Sequence, residues 1–387
     1  MQAAVQRPGD TGRFHALDGL RGVAALVIVA HHAAMTSPLV TVGPDRPADP
    51  VAVEVGTAAW LVPAQATLWL GPAAVAVFFV LSGFVLALPG PAPEPLRRAP
   101  AFWVRRLLRL YPPVWAAVLF AYALALAVPR VAVPGQSWWT AVHAAPVTLD
   151  ALVTDLVVVR GVTWANSPLW TLRWEILFSL ALPLVLPVLR FLGRRPVGAV
   201  AVVVALLVAV AAGRATGSNA LHYLPMFGVG IVLAGHHGRL RGESRPAFAT
   251  VLVGALVLLG AGAAVDGPTP VTDALAVAGA GALVVAMLSV RAAGFGRARA
   301  VRTLAAWSFG LYLVHEPLVI TATVLAPGLT PPVLLVVVLP PALLLAWALH
   351  RGVELPAAAL AARVSRQVAR GVRGGRPNTV PVVAGRP

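Results

Sequence analysis

Long apolar stretches separated by short polar segments follow one another along almost the whole 387-residue chain. A helix that crosses the roughly 30 Å hydrocarbon core of a bilayer needs about 20 mostly apolar residues. Ten stretches meet this length, some only loosely, and they predict an all-α polytopic membrane bundle of about ten transmembrane helices. The predicted spans are 16–36, 66–88, 112–129, 168–189, 197–212, 220–236, 247–265, 271–290, 303–325 and 331–350.

The segment 148–160 is apolar but too short to span, and it carries two Asp residues. We expect an interfacial or re-entrant helix there, with an eleventh span as the alternative. The surrounding segment 130–167 also contains Trp138, Trp139 and Trp164. Such residues are typical of an aromatic layer at the membrane interface, and a platform for stacking sugars is the other interpretation.

Composition supports a membrane protein and excludes other classes. The chain is 59% hydrophobic and 11% charged, with a mean hydropathy of +0.83. A soluble domain carries roughly 25% charged residues, so a soluble enzyme, a disordered chain and a nucleic-acid-binding domain are excluded despite the net charge of +16. Cysteine is absent, which excludes disulfides, thiolate metal sites and a cysteinyl acyl-enzyme.

Arginine orients the bundle through the positive-inside rule. With ten spans and a cytoplasmic N-terminus, 24 of the 30 Arg residues fall in cytoplasmic segments. Both termini are therefore expected in the cytoplasm, as in a multi-pass protein of the cell membrane. We assign 1–356 to a membrane domain and 357–387 to a basic cytoplasmic tail, which begins as an amphipathic helix on the inner leaflet and is partly disordered.

Ionisable residues inside spans are costly and usually functional. Arg21 and His32 both lie in the first span, eleven residues apart, which is close to three helical turns. Their side chains are therefore expected on one face, with Arg21 near the cytoplasmic surface and His32 about 16 Å deeper. Snorkelling of Arg21 and a helix-packing hydrogen bond of His32 are the structural alternatives.

A second group of basic residues precedes the third span. Arg106 and Arg109 are three residues apart on one helical face, and Pro112 and Pro113 are expected to break the helix as it enters the bilayer. Two guanidinium groups on one face indicate a site for phosphate on the cytoplasmic side. Charge that only fixes topology is the alternative.

Three further groups of polar or small residues lie in or next to the predicted spans. Arg173 and Glu175 point to different faces of the fourth span, so each is expected to have its partner elsewhere. Ser82 and Gly83 form a small patch that favours close helix packing. Glu354, just beyond the tenth span, is expected to pair with an Arg at the cytoplasmic face.

The ninth span carries a polar strip near its middle. Three polar residues lie within about 60° of one another on one helical face, namely Ser308, Tyr312 and His315. Glu316 adjoins them, and Pro317 frees the carbonyl of Leu313 because proline has no N–H. We expect His315 and His32 to approach one water-accessible cavity within about 10 Å, lined by Ser308 and Tyr312, because each buried imidazole needs a polar partner.

Together these segments resemble acyltransferase family 3, the multi-pass membrane enzymes that O-acylate bacterial surface glycans and some macrolides. The similarity runs from Phe14 to Pro356. Six motifs carry it in the family's order: ALDGLRGVAALVIVAHH, FFVLSGF, RRLLRLYP, SPLWTLRWEILF, SFGLYLVHEPL and VELP.

The resemblance implies an acyl-CoA donor, above all acetyl-CoA, and a hydroxyl acceptor on a glycan or macrolide. We expect no metal and no nucleic-acid partner. A neutral His32 then acts as general base, by direct transfer or through an acyl-histidine. The expected site has three parts: catalytic His32, Arg21 and His315; donor-binding Arg106, Arg109 and Arg21; and substrate-binding Ser82, Tyr312, Glu175, Glu316 and Glu354.

Two other classes of function compete with this interpretation. A proton-coupled transporter could use His32, His315 and Glu316 as a relay, and it would not consume acyl-CoA. A glycan-binding or scaffold membrane protein without catalysis is the second alternative.

Overall fold

The computed structural model describes residues 14–38, 61–88, 95–240, 245–264 and 268–374, so the end of the predicted tail lies outside the described residues. Helices make up almost all of the described chain, and no strand occurs in it. In chain order they are α1 (His15–Met35), α2 (Leu61–Ala87), α3 (Pro95–Ala127), α4 (Trp138–Val142), α5 (Leu149–Val157), α6 (Leu169–Leu192), α7 (Pro196–Thr216), α8 (Asn219–Leu240), α9 (Arg245–Leu259), α10 (Pro270–Met287), α11 (Ala293–Arg297), α12 (Arg299–Leu325), α13 (Pro331–Leu349) and α14 (Leu355–Gly374).

Each of the ten predicted spans coincides with a helix, and the protein is an all-α polytopic membrane protein. Among the described residues, eight helices are long and apolar enough to cross a membrane. The two predicted spans that fall short are α8, whose histidines and Arg239 lower its hydropathy, and α9, which has 15 residues. The segment 148–160 forms the short helix α5, as expected, and is not an eleventh span.

The helix ends that the arginine distribution places in the cytoplasm lie together. The ring of Phe14, before α1, contacts Phe84 of α2 and His237 of α8, with centroids 6.3 and 6.2 Å apart. Arg190, near the end of α6, donates a hydrogen bond to the carbonyl of Ala87 at the end of α2. We call these the Arg-rich ends of the bundle, and the positions of both termini stay a prediction of the positive-inside rule.

The third helix differs from the prediction. α3 continues for 33 residues, straight through Pro112 and Pro113, which were expected to break it. Each proline removes one backbone hydrogen bond, but α3 packs along α14, α12 and α6, and this packing holds the helix together. Arg106 and Arg109 therefore lie on the spanning helix itself.

Small residues bring α2 and α8 into backbone contact, as the Ser82–Gly83 patch predicted. A Cβ atom on Gly83 would collide with the backbone of Phe227, and one on Gly230 would collide with the carbonyl oxygen of Val80. Such close approach is what drives helix association where no hydrophobic effect operates between helices. α8 is thus fixed firmly against α2 in the middle of the bundle.

The predicted tail begins as a continuation of the bundle. α13 passes through one turn of π-helix, His350–Glu354, into α14, which runs along α3 and buries Ala357 and Ala361. Glu354 bonds to His350, four residues earlier, with Oε2 2.9 Å from Nδ1. His350 is therefore the hydrogen-bond partner of Glu354, and the expected Arg interaction comes from Arg109, which is within electrostatic reach. The domain boundary at 356 stays a prediction.

Candidate active site

The two histidines that the sequence singled out touch each other. Nδ1 of His32, in α1, lies 2.8 Å from Nε2 of His315, in α12, and the two rings stack with centroids 5.0 Å apart. His315 is fully buried, and the side chain of His32 is 12% exposed. The expected convergence of these residues is confirmed, at hydrogen-bond distance.

The hydrogen bonds fix which nitrogen of each neutral ring carries the proton. Nδ1 of His315 lies 3.1 Å from the carbonyl oxygen of Leu311, which can only accept, so Nδ1 is the donor. Nε2 of His315 must then accept from Nδ1–H of His32. This leaves Nε2 of His32 unprotonated, and within the described part of the chain it makes no hydrogen bond. His32 therefore has a free basic nitrogen.

Glu316 lies directly behind this pair and is fully buried. Its carboxylate accepts a hydrogen bond from the backbone N–H of Ser167 and another from the Ser167 hydroxyl, both at 2.7 Å. Oε2 also lies 3.5 Å from Nδ1 of His32. A positive charge formed on His32 would thus be close to a carboxylate held in place by two donors.

His143 completes the group and was missed by the sequence analysis. Its Nε2 lies 2.9 Å from Oε1 of Glu316, and its Nδ1 lies 2.6 Å from the carbonyl oxygen of Trp139. Since Nδ1 must donate to that carbonyl, the contact with Glu316 needs one further proton shared by the two groups. His143 and Glu316 therefore form an ion pair, or its neutral equivalent, out of contact with solvent.

The Trp residues of the expected aromatic layer lie beside the histidine cluster. Trp139 is buried and stacks on His32, with centroids 5.2 Å apart, and Trp164 packs against His143 at 5.5 Å. Trp138 packs in turn against Trp164. These side chains pack around the histidine cluster, and Trp138 and Trp164 are also partly exposed, so the interfacial layer and the sugar platform both stay predictions.

Buried polar contacts hold the segment between α4 and α6 in the bundle. Asp155 of α5 accepts hydrogen bonds from the backbone and hydroxyl of Thr163, at 2.7 and 2.6 Å, and from Tyr122 of α3 at 3.1 Å. Burial raises the pKa of the Asp155 carboxyl, although these bonds oppose the shift. The carbonyl of Leu313, freed by proline as expected, accepts from the amide of Asn166 at 3.0 Å. Ser167 is thereby placed next to Glu316.

A cavity of about 220 Å³ opens beside His32. His31, His32 and Tyr312 line it, together with residues at the ends of α2, α7, α8 and α10 that lie away from the Arg-rich ends. Tyr312 lines it as expected, whereas Ser308, also expected there, does not, and His315 approaches it only through its contact with His32. His315 is shielded by His32, and the Ser308 hydroxyl turns back to the carbonyl of Ala305, at 2.9 Å.

A second polar cluster joins α2, α3 and α6. Arg106 forms an ion pair with Glu175 and donates from Nε to the hydroxyl of Ser179 at 3.1 Å. Ser82 contacts the same carboxylate, with Oγ 3.3 Å from Oε1. As expected, Glu175 pairs with a residue other than Arg173. The guanidinium of Arg173 lies over the ring of Trp174.

Tyr312 lies between the two clusters. Its hydroxyl is 2.9 Å from the hydroxyl of Thr171 and 3.1 Å from the carbonyl of Pro168. It is also close enough to Glu175 and Glu316 to interact electrostatically with both. Tyr312 is hydrogen-bonded to the start of α6, near which both clusters lie.

The other expected donor-binding residues lie apart from the histidines. Arg21 is partly exposed, with its guanidinium 4.0 Å from Asp18. Arg109 is exposed and within electrostatic reach of Arg21, Arg106 and Glu354. None of these four lines the cavity beside His32. The structure thus groups them as a separate basic region nearer the Arg-rich ends.

Comparison with known proteins places this geometry in a family. Residues 14–351 match the model of acyltransferase family 3, described as an acyltransferase domain. The chain belongs to this acyltransferase family. The matched range contains both polar clusters, the cavity and His143.

One relative is acyltransferase MdmB from Streptomyces mycarofaciens, 32% identical over 184 residues. That alignment covers 46% of this chain and 40% of the relative, so the chain matches less than half of the relative's length. No solved structure matches the chain at a significant level. Within the described residues, no group of three or more acidic, Cys or His side chains is arranged to hold a metal ion.

Proposed function

We propose that the protein is an O-acyltransferase of the cell membrane, which moves an acyl group, with acetyl as the expected case, from acyl-CoA to a hydroxyl of a glycan or macrolide-type acceptor. One observation carries the proposal. The hydrogen-bond chain from Leu311 through His315 to His32 leaves a lone pair on Nε2 of a residue that lines a cavity.

The proposed reaction uses His32 as general base. Nε2 removes the proton of the acceptor hydroxyl while its oxygen attacks the carbonyl carbon of the thioester. The C–S bond breaks, and the departing thiolate takes the proton back from His32, which releases CoA. His315 holds the reactive tautomer of His32, and Glu316 stabilises the transient imidazolium at 3.5 Å.

The acyl-CoA donor is expected at the basic region near the Arg-rich ends. CoA is an anion with several phosphate groups, and guanidinium groups bind phosphate well. Arg109 is the best candidate because its side chain is exposed, whereas Arg106 already pairs with Glu175. Arg21 lies on the path from this region to His32, along α1.

Acyl transfer is tested by thiol release. Purified protein in detergent is mixed with acetyl-CoA, with and without hydroxyl acceptors, and free CoA is measured with a thiol reagent. The chain has no cysteine, so it contributes no background. We expect release that depends on His32. A folded, monodisperse protein that releases no CoA from any acyl-CoA, and instead moves protons in liposomes, would contradict the proposal in favour of a transporter.

A further inference from the structure

The wall of the cavity away from the histidine pair carries three polar residues that the proposed chemistry does not use. Arg214 comes from the end of α7, His222 from the start of α8 and Asp273 from the start of α10. Nε of Arg214 lies 2.9 Å from Oδ2 of Asp273, and Nε2 of His222 lies 3.7 Å from the same oxygen. These residues form what we call the distal triad.

Packing holds the distal triad in a fixed arrangement. A Cβ atom on Gly213 would collide with the backbone of His222, so α7 and α8 are in direct contact at this point. Nδ1 of His222 lies 3.1 Å from the carbonyl oxygen of Val210, which directs Nε2 towards Asp273. The Asp273 side chain is 11% exposed and that of Arg214 is 38% exposed. Packing and hydrogen bonding thus position His222 beside Asp273, and the partly exposed Arg214 is within reach of a ligand.

Aromatic rings line the same cavity as the distal triad and His32. Trp170 and Tyr223 both line the cavity, with ring centroids 4.8 Å apart. Aromatic surface combined with a few convergent polar groups is typical of a small-molecule site. The cavity volume of about 220 Å³ is below the roughly 300–1,000 Å³ of drug-sized pockets, so it accommodates one small ring and not a whole macrolide.

We propose that the distal triad is the subsite that recognises the acceptor, and that it binds a single sugar unit, either of a glycan or attached to a larger molecule. Asp273 accepts hydrogen bonds from sugar hydroxyls, Arg214 donates to hydroxyl or ring oxygens, and Trp170 and Tyr223 contact the apolar face of the ring. The sugar's reactive hydroxyl then faces His32 across the cavity. This inference rests on the proposed acyltransferase function.

The test separates acceptor recognition from chemistry. Arg214→Gln and Asp273→Asn are assayed with acetyl-CoA and with methyl glucoside or methyl rhamnoside as acceptor. We expect the acceptor KM to rise about ten- to a hundred-fold, from the lost charge-assisted hydrogen bonds. The KM for acetyl-CoA should stay within twofold of wild type. Arg195→Gln, an exposed residue at the other end of α7, is the matched control.

A charge swap excludes a purely structural ion pair. The double variant Arg214→Asp with Asp273→Arg keeps the pair but exchanges donor and acceptor. We expect it to recover thermal stability while the acceptor KM stays high. Recovery of the acceptor KM, or unchanged KM values in both single variants, would overturn the inference.

Binding without turnover keeps the two proposals distinguishable. Saturation-transfer NMR with methyl glucoside and methyl rhamnoside should show contact with wild type and with His32→Ala, and lose it in Asp273→Asn. This result in a protein that releases no CoA supports the subsite and contradicts the acyltransferase reaction. CoA release without any saturation transfer to either sugar contradicts the subsite alone.

Discussion

The two adjacent histidines of α1 provide a direct test of the proposed base. His32→Ala removes the free Nε2 and is expected to lower acyl transfer by about 10²–10⁴, the usual contribution of a general base. His31→Ala should keep most activity, because His31 lines the cavity but its neighbour makes the contact with His315. Initial rates of CoA release, with melting temperature as a check on folding, measure both. Equal losses in the two variants would contradict the assignment.

Glu316 and His143, which lie behind His32, should affect the reaction through the contact that they make with each other. Glu316→Gln keeps the shape of the side chain but removes the charge that faces the imidazolium, and His143→Gln removes the partner of that charge. Each is expected to lower kcat about ten- to a hundred-fold with little change in the KM for acetyl-CoA.

Both substitutions break the same ion pair. The kcat of the double variant should therefore be only slightly lower than the kcat of the less active single variant. Additive losses would show that His143 supports the fold independently of Glu316. The readout is a double-mutant cycle in kcat at saturating acetyl-CoA.

The site residues that could be predicted from the sequence are those in regular helices, where the helical period fixes the direction of each side chain. His32 and His315 lie in regular helices, so their faces followed from 100° per residue, and the need of buried imidazoles for polar partners brought them together. His143 and Ser167 lie between α4 and α6, where no helical period fixes the path of the chain. Their distances from Glu316 could therefore not be predicted.

At the scale of helices, a Cβ atom added to a glycine in the contact between α2 and α8 should destabilise the protein. Gly230→Ala places a methyl group against the carbonyl of Val80 and forces the two backbones apart, so we expect a lower melting temperature. Gly235→Ala, on the same helix, has no atom within 4 Å of its new methyl group. It should leave the melting temperature unchanged or raise it, because alanine favours a helix over glycine by roughly 1 kcal/mol. The same melting temperature for both variants would contradict the close contact.

The helices themselves were predicted well, and their ends less so. Apolar length located ten helices, but the break expected at Pro112 and Pro113 was wrong, since tertiary packing on α14, α12 and α6 outweighs two missing hydrogen bonds. Among the described residues, α8 and α9 fall short of the length or hydropathy of the other eight predicted spans. α8 packs extensively on α2 and α7, so other helices cover part of its surface.

At the scale of the whole molecule, the two substrates are expected to bind in different regions. The basic region around Arg109 lies nearer the Arg-rich ends, whereas the cavity with His32 and the distal triad lies towards the opposite ends. Since the positive-inside rule puts the Arg-rich ends in the cytoplasm, the donor should approach from there. Substitutions in one region should then change affinity for one substrate only.

Donor affinity tests this division directly. Arg109→Ala removes an exposed guanidinium, and the loss of a charge-assisted contact with a CoA phosphate should weaken acetyl-CoA binding about ten- to a hundred-fold. Arg98→Ala, an exposed residue three turns earlier on α3, should not. Arg106→Ala is expected to lower stability as well, because it leaves Glu175 without its ion-pair partner.

Calorimetric titration with acetyl-CoA measures the donor affinity of all three Arg variants of α3. Arg214→Gln should bind the donor as wild type does. Unchanged affinity in Arg109→Ala would limit that residue to fixing topology, and weakened affinity in Arg214→Gln would contradict the separation of donor and acceptor regions.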